Sequence, residues 1–539
     1  MDMNASIRRL MYAFMALFLL LSLVMANVMI FQAPDLQASS YNPRGCLPQN
    51  QAFRGTIFDR NGVKLVWTVE DGKAQCGYRR VWNPDAVNAG LAPLIGYFSY
   101  RYGASGVEAR YNDMLTGAGE GSTLQSVANR LLHQQVIGNN IYLTIDLKLQ
   151  QQANALYNQD AETYPPDVCQ TPGSDPHGSI IVENPQNGEI LAMVSRPYYD
   201  PNRISDDAYW QQINNDKQNA PLLNRAAQGL YVPGSSFKTI SLIAALDTTN
   251  QSNISLSTTY TRDEYFDYVV NGFDFHWDDS FNGAPDPMSV EQAYAYSVNP
   301  VFARVAVSTG QDTWLSYAAR LGISIPGQSV PAVPFDSNAN QSRVAPPGAP
   351  LDPVTFAASG FGQGDLQISP LTMAEVTSAV GANGNLYVPH VLYKQVAPGQ
   401  NPSDVSPQAA TLYGGAQQPI MQPQTAALVR QAMRAVVEYG TAAQGQAVQL
   451  SKSPAIEGGK TGTGQVGEGQ RPQTWWISMA PAVNDVNVMA NLVVVVMKEH
   501  SGEGACQIFV ADDIYKCAAA DHDWTPPNNA DLGPCPAKQ

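Results

Sequence analysis

Apolar and polar positions are spaced differently in different parts of the chain, and this spacing predicts where its elements lie. A nearly unbroken apolar run covers residues 10–31 and follows Arg8 and Arg9. A helix of that length is long enough to cross the ~30 Å hydrocarbon core of a bilayer. The apolar core of a cleaved signal peptide is shorter, about 7–15 residues. We therefore expect a transmembrane signal anchor at residues 10–31, with a cleaved signal peptide as the alternative.

The part of the chain that follows the anchor is expected to form a first extracellular domain. The arginines before the run place residues 1–9 in the cytoplasm, because positive charge is retained on that side. In residues 32–166, strand-like runs flank Asn61-Gly62, a dipeptide typical of a two-residue hairpin turn. Helical spacing of apolar positions predicts a helix over residues 146–157. Residues 167–177 contain several turn-forming residues and are expected to be a linker.

A second domain is expected at residues 178–513. It begins with a strand–turn–strand pattern around Asn187-Gly188. An amphipathic helix is predicted at residues 422–439. Three successive strands are predicted near its end, at residues 460–465, 474–479 and 491–498, and the last contains a short Val-rich run typical of a buried strand. This irregular alternation favours a mixed α/β domain. Residues 514–539 are rich in Pro, Asn and Asp and predict a loosely ordered polar tail.

Composition excludes two broad classes of protein. Apolar residues make up 44% and charged residues 14% of the 539 residues, so the chain is not intrinsically disordered. The net charge of −15 argues against nucleic acid as a partner, since phosphate binding needs a basic surface. The six histidines have no metal-ligand spacing, and we expect neither a metal site nor a cofactor.

The six cysteines include no Cys-x-x-Cys pair, which argues against a zinc site or a thioredoxin-like centre. An even number of widely spaced cysteines favours disulfides formed in an oxidising compartment. Several pairings remain open. The shortest loops would join Cys506 to Cys517 and Cys46 to Cys76.

The candidate chemistry begins at residues 233–238, Pro-Gly-Ser-Ser-Phe-Lys. Pro-Gly predicts a turn, and the apolar run after it predicts a helix that begins near Ser235, where a serine is a favourable N-cap. Residues three apart share a helix face, so Lys238 would lie beside the Ser235 hydroxyl. A serine becomes a nucleophile when a neighbouring base takes its proton. Ser236 is the weaker candidate, because its partner at that spacing is Thr239, which is not a base.

Two further motifs follow this Ser-x-x-Lys pair, which alone would more often mark only a capped surface helix. They are Ser297-Val298-Asn299 and Lys460-Thr461-Gly462-Thr463. This order of boxes is the signature of penicillin-binding proteins and class A β-lactamases. The chain thus resembles the class B penicillin-binding proteins, which are monofunctional cell-wall transpeptidases. The resemblance includes other segments: Arg54-Gly55-x-Ile57-x-Asp59-Arg60-Asn61-Gly62, Gly103-x-Ser105-Gly106-x-Glu108, Asp200-Pro201-Asn202 and Gly360-Phe361-Gly362-Gln363-Gly364.

The resemblance implies the penicillin-binding-protein transpeptidase fold, an α/β fold with a five-stranded sheet flanked by helices and a helical subdomain. It also implies an elongated N-terminal pedestal, similar to a dimerisation domain, at residues 32–166. There Glu108 is expected to be a paired structural carboxylate. Glycan polymerisation is not expected, because Glu70-Asp71 does not continue into the motif of bifunctional relatives. Gly464 departs from the family pattern, which usually has alanine at this position.

In the implied mechanism, the Ser235 hydroxyl attacks the carbonyl of the penultimate D-alanine of a stem peptide, and the terminal D-alanine leaves. Lys238 takes the serine proton. For this it must be neutral, and burial together with the charge of Lys460 would lower its pKa. Ser297 would join the two amines and pass a proton to the leaving group. Asn299 would orient Lys238 and the donor peptide.

The resemblance assigns the remaining boxes to substrate binding. Thr461 and Thr463 would bind the substrate's terminal carboxylate, and Gly462 would keep the strand edge clear for a substrate strand. The backbone N–H groups of Ser235 and Thr463 would form the oxyanion hole, in which one donor is worth ~10²–10³ in rate. Aromatic residues beside strands are more often core than groove. Three are nevertheless candidates for lining the acceptor groove: Phe361, Trp475 and Trp476.

The resemblance also implies partners and a location. The partners are peptidoglycan stem peptides that supply a D-Ala-D-Ala donor and an amine acceptor, β-lactams as covalent inhibitors, and a membrane-embedded glycan polymerase. The protein would be single-pass in the bacterial cytoplasmic membrane through residues 10–31, with its catalytic domain outside. Three alternatives remain open: a β-lactamase, a β-lactam-binding sensor and a non-catalytic cell-wall scaffold.

Overall fold

The computed structural model of the chain describes residues 3–29, 53–117, 137–163, 177–247, 252–277, 283–331, 335, 337–407, 419–443, 457–467, 469–502, 504–521, 524–527 and 531–536. Within these ranges, helix Met3–Asn27 alone is long and apolar enough to cross a membrane, over Leu10–Asn27. Its side chains from Leu10 onward are exposed. The predicted apolar helix is therefore present, while residues 30 and 31 lie outside the described ranges.

The pedestal is built on a five-stranded sheet. Across the sheet the strands are Leu392–Val396, Asn140–Leu143, Ile57–Phe58, Lys64–Glu70 and Tyr78–Trp82. Ile57–Phe58 pairs antiparallel with Lys64–Glu70 around the Asn61-Gly62 turn, which confirms the predicted hairpin. Leu392–Val396 pairs with Asn140–Leu143, although it comes from the second half of the chain. The pedestal and the catalytic domain therefore share a sheet across the predicted boundary.

Glu108 is a structural carboxylate, as predicted. It lies 2.7 Å from Arg54 Nη2 and 2.6 Å from Arg80 Nη2, and all three side chains are almost fully buried. Burial alone would raise the pKa of Glu108, but the two guanidinium groups outweigh it and hold this pKa below its ordinary value. The cluster ties the start of the pedestal to helix Gly106–Arg110.

The second domain, expected at residues 178–513 and called the catalytic domain after the function that the resemblance implies, contains the second five-stranded sheet. Its order is Gly458–Gly464, Gln473–Ala480, Leu492–Lys498, Gly178–Asn184 and Glu189–Arg196, with every neighbouring pair antiparallel. All five strands fall where the sequence predicts strands, and all but the edge strand Gly458–Gly464 have apolar sequences. Strand Leu492–Lys498 is buried on both faces, which explains why its sequence is continuously apolar rather than alternating.

Helices cover both faces of this sheet. Leu147–Thr163 and Cys506–Ala520 pack together on one face. Pro370–Gly381 and Pro423–Glu438 pack on the other, and they position the strand Gly458–Gly464 at the sheet edge. The predicted helices over 146–157 and 422–439 are thus confirmed, the first longer than expected.

A helical subdomain surrounds helix Lys238–Leu246. Its neighbours contribute large buried side chains such as Phe302 and Trp314. The neighbours in the subdomain that contact it are Asn299–Thr309 and Gln311–Arg320, and Val290–Ala295 and Pro353–Ser359 pack against Asn299–Thr309. The other helices are Gln75–Gly77, Pro84–Asn88, Ala92–Ile95, Asn112–Thr116, Pro201–Arg203, Asp207–Asn215, Arg225–Gln228, Gly234–Phe237, Arg262–Phe266 and Pro402–Asp404. Short strands pair as Phe98–Ser99 with Gly103–Ala104, Thr259–Tyr260 with Met288–Ser289, and Asp267–Val270 with Phe273–His276.

Two predictions about the C-terminus are wrong. The helix Cys506–Ala520 continues past the expected start of the tail at residue 514, because Ile514, Tyr515 and Cys517 are buried against the sheet. Cys517 is bonded to Cys535, not to Cys506. Cys506 and Cys517 lie on one helix at a separation of about 16 Å, far beyond the ~4–7 Å that a disulfide spans. Cys76 is disulfide-bonded. Its predicted partner, Cys46, lies outside the described residues.

Candidate active site

The serine turn, residues 233–238, brings Ser235 to the sheet edge. Gly234 has a φ of 53°, and a Cβ there would lie 2.4 Å from the carbonyl group of Thr463. Only glycine permits this conformation and this approach without strain. Gly234–Phe237 forms one tight helical turn that continues as Lys238–Leu246. Ser235 is therefore inside the first turn. It is not the N-cap that the sequence suggests, and its hydroxyl faces the amine of Lys238 instead.

Lys238 is at the centre of the site. Its Nζ lies 2.9 Å from Ser235 Oγ and 3.1 Å from Ser297 Oγ. It also donates to the Asn299 side-chain oxygen at 2.7 Å and to the Ser297 carbonyl at 2.6 Å. The three predicted partners of this lysine thus converge on one nitrogen, although they come from two separate segments of the chain.

Ser297 joins the two lysines. Its hydroxyl accepts hydrogen bonds from Lys460 Nζ at 3.0 Å and from Lys238 Nζ. Its backbone has a φ of 65°, a left-handed conformation that is uncommon outside glycine. Strain of this kind concentrates at functional sites, where the surrounding structure holds it in place. This bend turns the chain between helices Val290–Ala295 and Asn299–Thr309, so that Ser297 and Asn299 face the same amine.

Both lysines have lowered pKa values. Burial, followed by the charge of Lys460, puts the pKa of Lys238 well below its ordinary value. Burial lowers the pKa of Lys460 to about 7. Both side chains are fully buried, so a charge on either one is only weakly solvated. A neutral Lys238 beside a Lys460 that carries the shared positive charge is therefore the favoured arrangement near neutral pH.

The strand Gly458–Gly464 forms the other wall of the site. It is an edge strand of the sheet, so one side of its backbone can accept an added strand. Lys460 and Thr461 are buried, whereas the side chain of Thr463 is exposed. The two hydroxyls assigned to substrate binding are thus on this strand, but Thr463 is the more accessible of the two.

Gly462 is needed for a reason different from the predicted one. A Cβ at this position would lie 2.6 Å from the carbonyl oxygen of Pro233 and 3.2 Å from Cβ of Ser236. The missing side chain therefore lets the serine turn pack directly on the strand. It does not clear the strand edge for substrate, since side chains of a strand project from its faces.

Several residues predicted near the site have structural roles. The Ser236 hydroxyl is buried and donates to the carbonyl of Pro233 at 2.7 Å, so it faces away from the amines. Trp475 and Trp476 are completely buried in the core, and Phe361 is nearly so. The alternative that these aromatic residues belong to the core is therefore correct.

Two positioning contacts were missed in the sequence. The Thr441 hydroxyl lies 3.0 Å from that of Thr461, and its backbone N–H donates to the carbonyl of Ala295. Thr441 thus links the edge strand to the segment that leads into Ser297. Gln363 donates to the Thr463 carbonyl at 3.1 Å. Gln363 belongs to a family motif, and its role could have been suspected from the sequence. No sequence feature marks Thr441, apart from its position just after helix Pro423–Glu438.

Comparison with known proteins identifies the family of the chain. A family model described as penicillin binding protein transpeptidase domain matches residues 178–516. A second, described as penicillin binding protein A dimerisation domain, matches residues 54–141. Peptidoglycan D,D-transpeptidase PbpA of Mycolicibacterium smegmatis is 30% identical and covers 91% of this chain and 94% of its own length. Peptidoglycan D,D-transpeptidase MrdA of Salmonella typhimurium is 28% identical over 71% of this chain and 58% of its own length.

Solved structures with a similar fold come from the same family. The imipenem acyl-enzyme structure of penicillin-binding protein A from M. tuberculosis matches with a TM-score of 0.70 and 24% identity, over 88% of this chain and 99% of that one. At this identity the match supports the fold. The transpeptidase model alone spans more than half of the chain. The chain therefore belongs to the penicillin-binding protein family, as a member with a transpeptidase domain.

Proposed function

We propose that this protein is a peptidoglycan D,D-transpeptidase that works through an acyl-enzyme on Ser235. The observation that carries the proposal is the convergence of Ser235 Oγ, Ser297 Oγ and Asn299 on the single nitrogen of Lys238. A hydroxyl next to a buried amine of lowered pKa is the arrangement that nucleophilic acyl transfer needs.

The first half of the reaction, acylation of Ser235, begins with Lys238 neutral and the proton on the Ser235 hydroxyl. Neutral Lys238 takes the proton of Ser235 as the oxygen attacks the carbonyl carbon of the penultimate D-alanine. The backbone N–H groups of Ser235 and Thr463 stabilise the oxyanion that forms. The peptide C–N bond then breaks, and Ser297 passes a proton from Lys238 to the nitrogen of the departing D-alanine. This leaves an ester on Ser235 and a neutral Lys238.

Deacylation repeats the same steps in reverse order. The amine of a second stem peptide attacks the ester, and its excess proton passes to Ser235 Oγ through Lys238. The ester C–O bond breaks and a new peptide bond joins the two stems. The cation at Lys460 has two uses: it keeps Lys238 neutral and attracts the substrate's terminal carboxylate to Thr461 and Thr463.

The finer assignments belong to the same proposal. The helix Met3–Asn27 would anchor the chain in the cytoplasmic membrane, with residues 1–9 inside and the catalytic domain outside. The pedestal would hold the active site at a distance from the membrane. A glycan polymerase in the membrane would supply the strands to be cross-linked. The positive-inside arrangement of the sequence supports this topology.

The proposal is tested by labelling the purified protein with a fluorescent penicillin and measuring adduct formation and release. We expect one slowly released adduct on wild type, located on Ser235 by peptide mass spectrometry. Ser235→Ala should form none, while the matched control Ser236→Ala should be labelled. Transfer of an acyl group from a D-Ala-D-Ala peptide to an added amine would complete the test.

Other outcomes separate the alternatives. Rapid release of the label by water would identify a β-lactamase. A stable adduct without peptide transfer would identify a β-lactam-binding sensor. A correctly folded wild type that forms no adduct would be a non-catalytic scaffold, and the proposal would be rejected.

A further inference from the structure

A cavity of about 350 Å³ lies where the pedestal meets the catalytic domain. Its pedestal walls come from strand Tyr78–Trp82, from residues 98–101 and from the turn that follows Lys64–Glu70. The opposite wall comes from the catalytic domain, from Pro201, Asn202, Ile204 and Ser205. None of the residues of the active site lines it. Its volume is within the range of small-molecule sites, about 300–1,000 Å³.

The floor of this cavity carries an uncompensated positive charge. Arg54 and Arg80 both line the cavity, and they share one carboxylate, that of Glu108. Their other hydrogen bonds go to neutral oxygens, such as Asn112 Oδ1 and Thr68 Oγ1. The two guanidinium groups are almost fully buried. Two buried cations with one buried anion leave a net charge that an anion in the cavity would neutralise.

The rim of the cavity adds to this charge. Lys73, Arg79 and Arg101 line it, and among the described lining residues Asp71 alone is acidic and pairs with Arg79 at 3.2 Å. Arg101 forms its ion pair with Asp207 outside the cavity lining. This concentration of cations is unusual in a chain with 46 acidic and 31 basic residues. Charges of one sign around a cleft focus the field and raise the local concentration of the opposite ion.

Aromatic side chains complete the lining. The guanidinium of Arg54 lies 4.1 Å above the ring of Phe98, and Tyr78, Trp82 and Tyr100 form further walls. These rings exclude water from the guanidinium groups and strengthen their attraction for an anion. We propose that this cavity binds a multiply charged oxyanion, a ligand that carries phosphate or carboxylate groups, and that the ligand bridges the pedestal and the catalytic domain.

A ligand with phosphate or carboxylate groups could be either a free small anion or a charged segment of a polymer. Pyrophosphate represents the first and long-chain polyphosphate the second. Binding of each to the full-length protein in detergent is measured by calorimetry, with thermal unfolding as a second readout. The bound ligand should raise the unfolding temperature, because it binds only the folded state. Tight binding of polyphosphate together with weak binding of pyrophosphate would assign the site to a polymer, and the reverse would assign it to a free anion.

The decisive variant removes the rim cations: Lys73→Ala, Arg79→Ala and Arg101→Ala together. It should weaken binding of the better probe by about tenfold or more, since each exposed cation contributes modestly and the three act together. Binding to wild type should also weaken as salt rises from 0.05 to 0.5 M, because salt screens these charges. If the triple variant does not fold, Lys73→Glu alone should weaken binding by at least a few fold.

A matched control removes as many exposed cations elsewhere: Lys64→Ala, Lys217→Ala and Arg262→Ala, none of which lines the cavity. The control should bind within twofold of wild type, and the labelling of Ser235 by penicillin should be unchanged in both triple variants. The inference is overturned if neither probe binds wild type below 10 mM. It is also overturned if the rim variant and the control bind equally well.

Discussion

Replacing Ser297 by alanine and by glycine separates the chemistry of its hydroxyl from the strain of its backbone. The hydroxyl receives hydrogen bonds from both lysines, at 3.1 and 3.0 Å. Both variants remove this shared acceptor and the path by which a proton reaches the leaving group. General acid–base catalysis of this kind contributes ~10²–10⁴ in rate. We expect both to lower the rate constant of acylation by about 10²–10³, or about 2.7–4 kcal/mol in the barrier.

The two variants should differ in stability. The left-handed backbone at φ 65° costs a residue with a Cβ about 1–2 kcal/mol, and glycine avoids that cost. Glycine also loses about 0.5–1 kcal/mol through the greater freedom of the unfolded chain. Ser297→Gly should therefore be more stable than Ser297→Ala by about 0.5–1 kcal/mol. The less strained variant gains no activity from this, because activity depends on the missing hydroxyl.

The assay is the rate of acylation by a fluorescent penicillin, together with urea unfolding of the same preparations. Ser236→Ala is the matched control, because its hydroxyl is next to the nucleophile but bonded to the carbonyl of Pro233. The control should acylate within about threefold of wild type. Acylation of Ser297→Ala within tenfold of wild type would refute the proton path. Equal stability of the two Ser297 variants would refute the argument from backbone strain.

Four further predictions test other parts of the molecule. Acylation should slow as pH falls through the lowered pKa of Lys238, because its protonated amine cannot accept the serine proton; an acylation rate that shows no decline on the acid side of neutrality while the protein stays folded would contradict this. Acylation should also decline above about pH 7 as Lys460 loses its charge, and Lys460→Arg should remove this alkaline decline if the variant remains active. Thr441→Val should lower acylation about tenfold with unchanged unfolding temperature, and Thr441→Ser should restore it. Glu108→Gln should destabilise the protein by about 3–5 kcal/mol in urea unfolding by leaving two guanidinium groups unpaired, while a folded sample at low temperature still acylates.

The convergence at the active site could be predicted because the three motifs, Ser-x-x-Lys, Ser-x-Asn and Lys-Thr-Gly, rarely occur in that order without forming a site of this kind. Ser235 and Lys238 are three residues apart, and helical geometry alone brings them together. Ser297 and Lys460 are distant from this pair in the chain, and only the resemblance to a family placed them beside it. The apolar strands and the two long helices were predictable from the periodicity of their apolar residues. This periodicity shows which face of an element is buried, but it does not show which element packs against it.

The features that were missed depend on contacts between distant segments. Strand Leu392–Val396 joins the pedestal sheet, and nothing in its own sequence indicates which strand it will pair with. Cys517 bonds to Cys535 rather than to Cys506, because Cys506 and Cys517 lie on one rigid helix, so the shortest loop was a poor guide. The sequence around Thr441 is ordinary for the end of a helix. Its role comes from its contact with the Thr461 hydroxyl, which belongs to a distant segment.

The position of the serine turn against the edge strand is set by backbone packing more than by the catalytic side chains. A Cβ at Gly362 would lie 1.7 Å from the carbonyl oxygen of Gly234, and one at Gly464 would lie 2.1 Å from that of Val232. These glycines and Gly462 allow three backbones to touch around the serine turn. An added methyl group at any of them must separate the segments, which admits water to the two amines and moves the pKa of Lys238 back toward its ordinary value. Gly464→Ala, although it restores the residue usual in the family, should for this reason lower acylation near neutral pH, and the loss should diminish as the pH is raised.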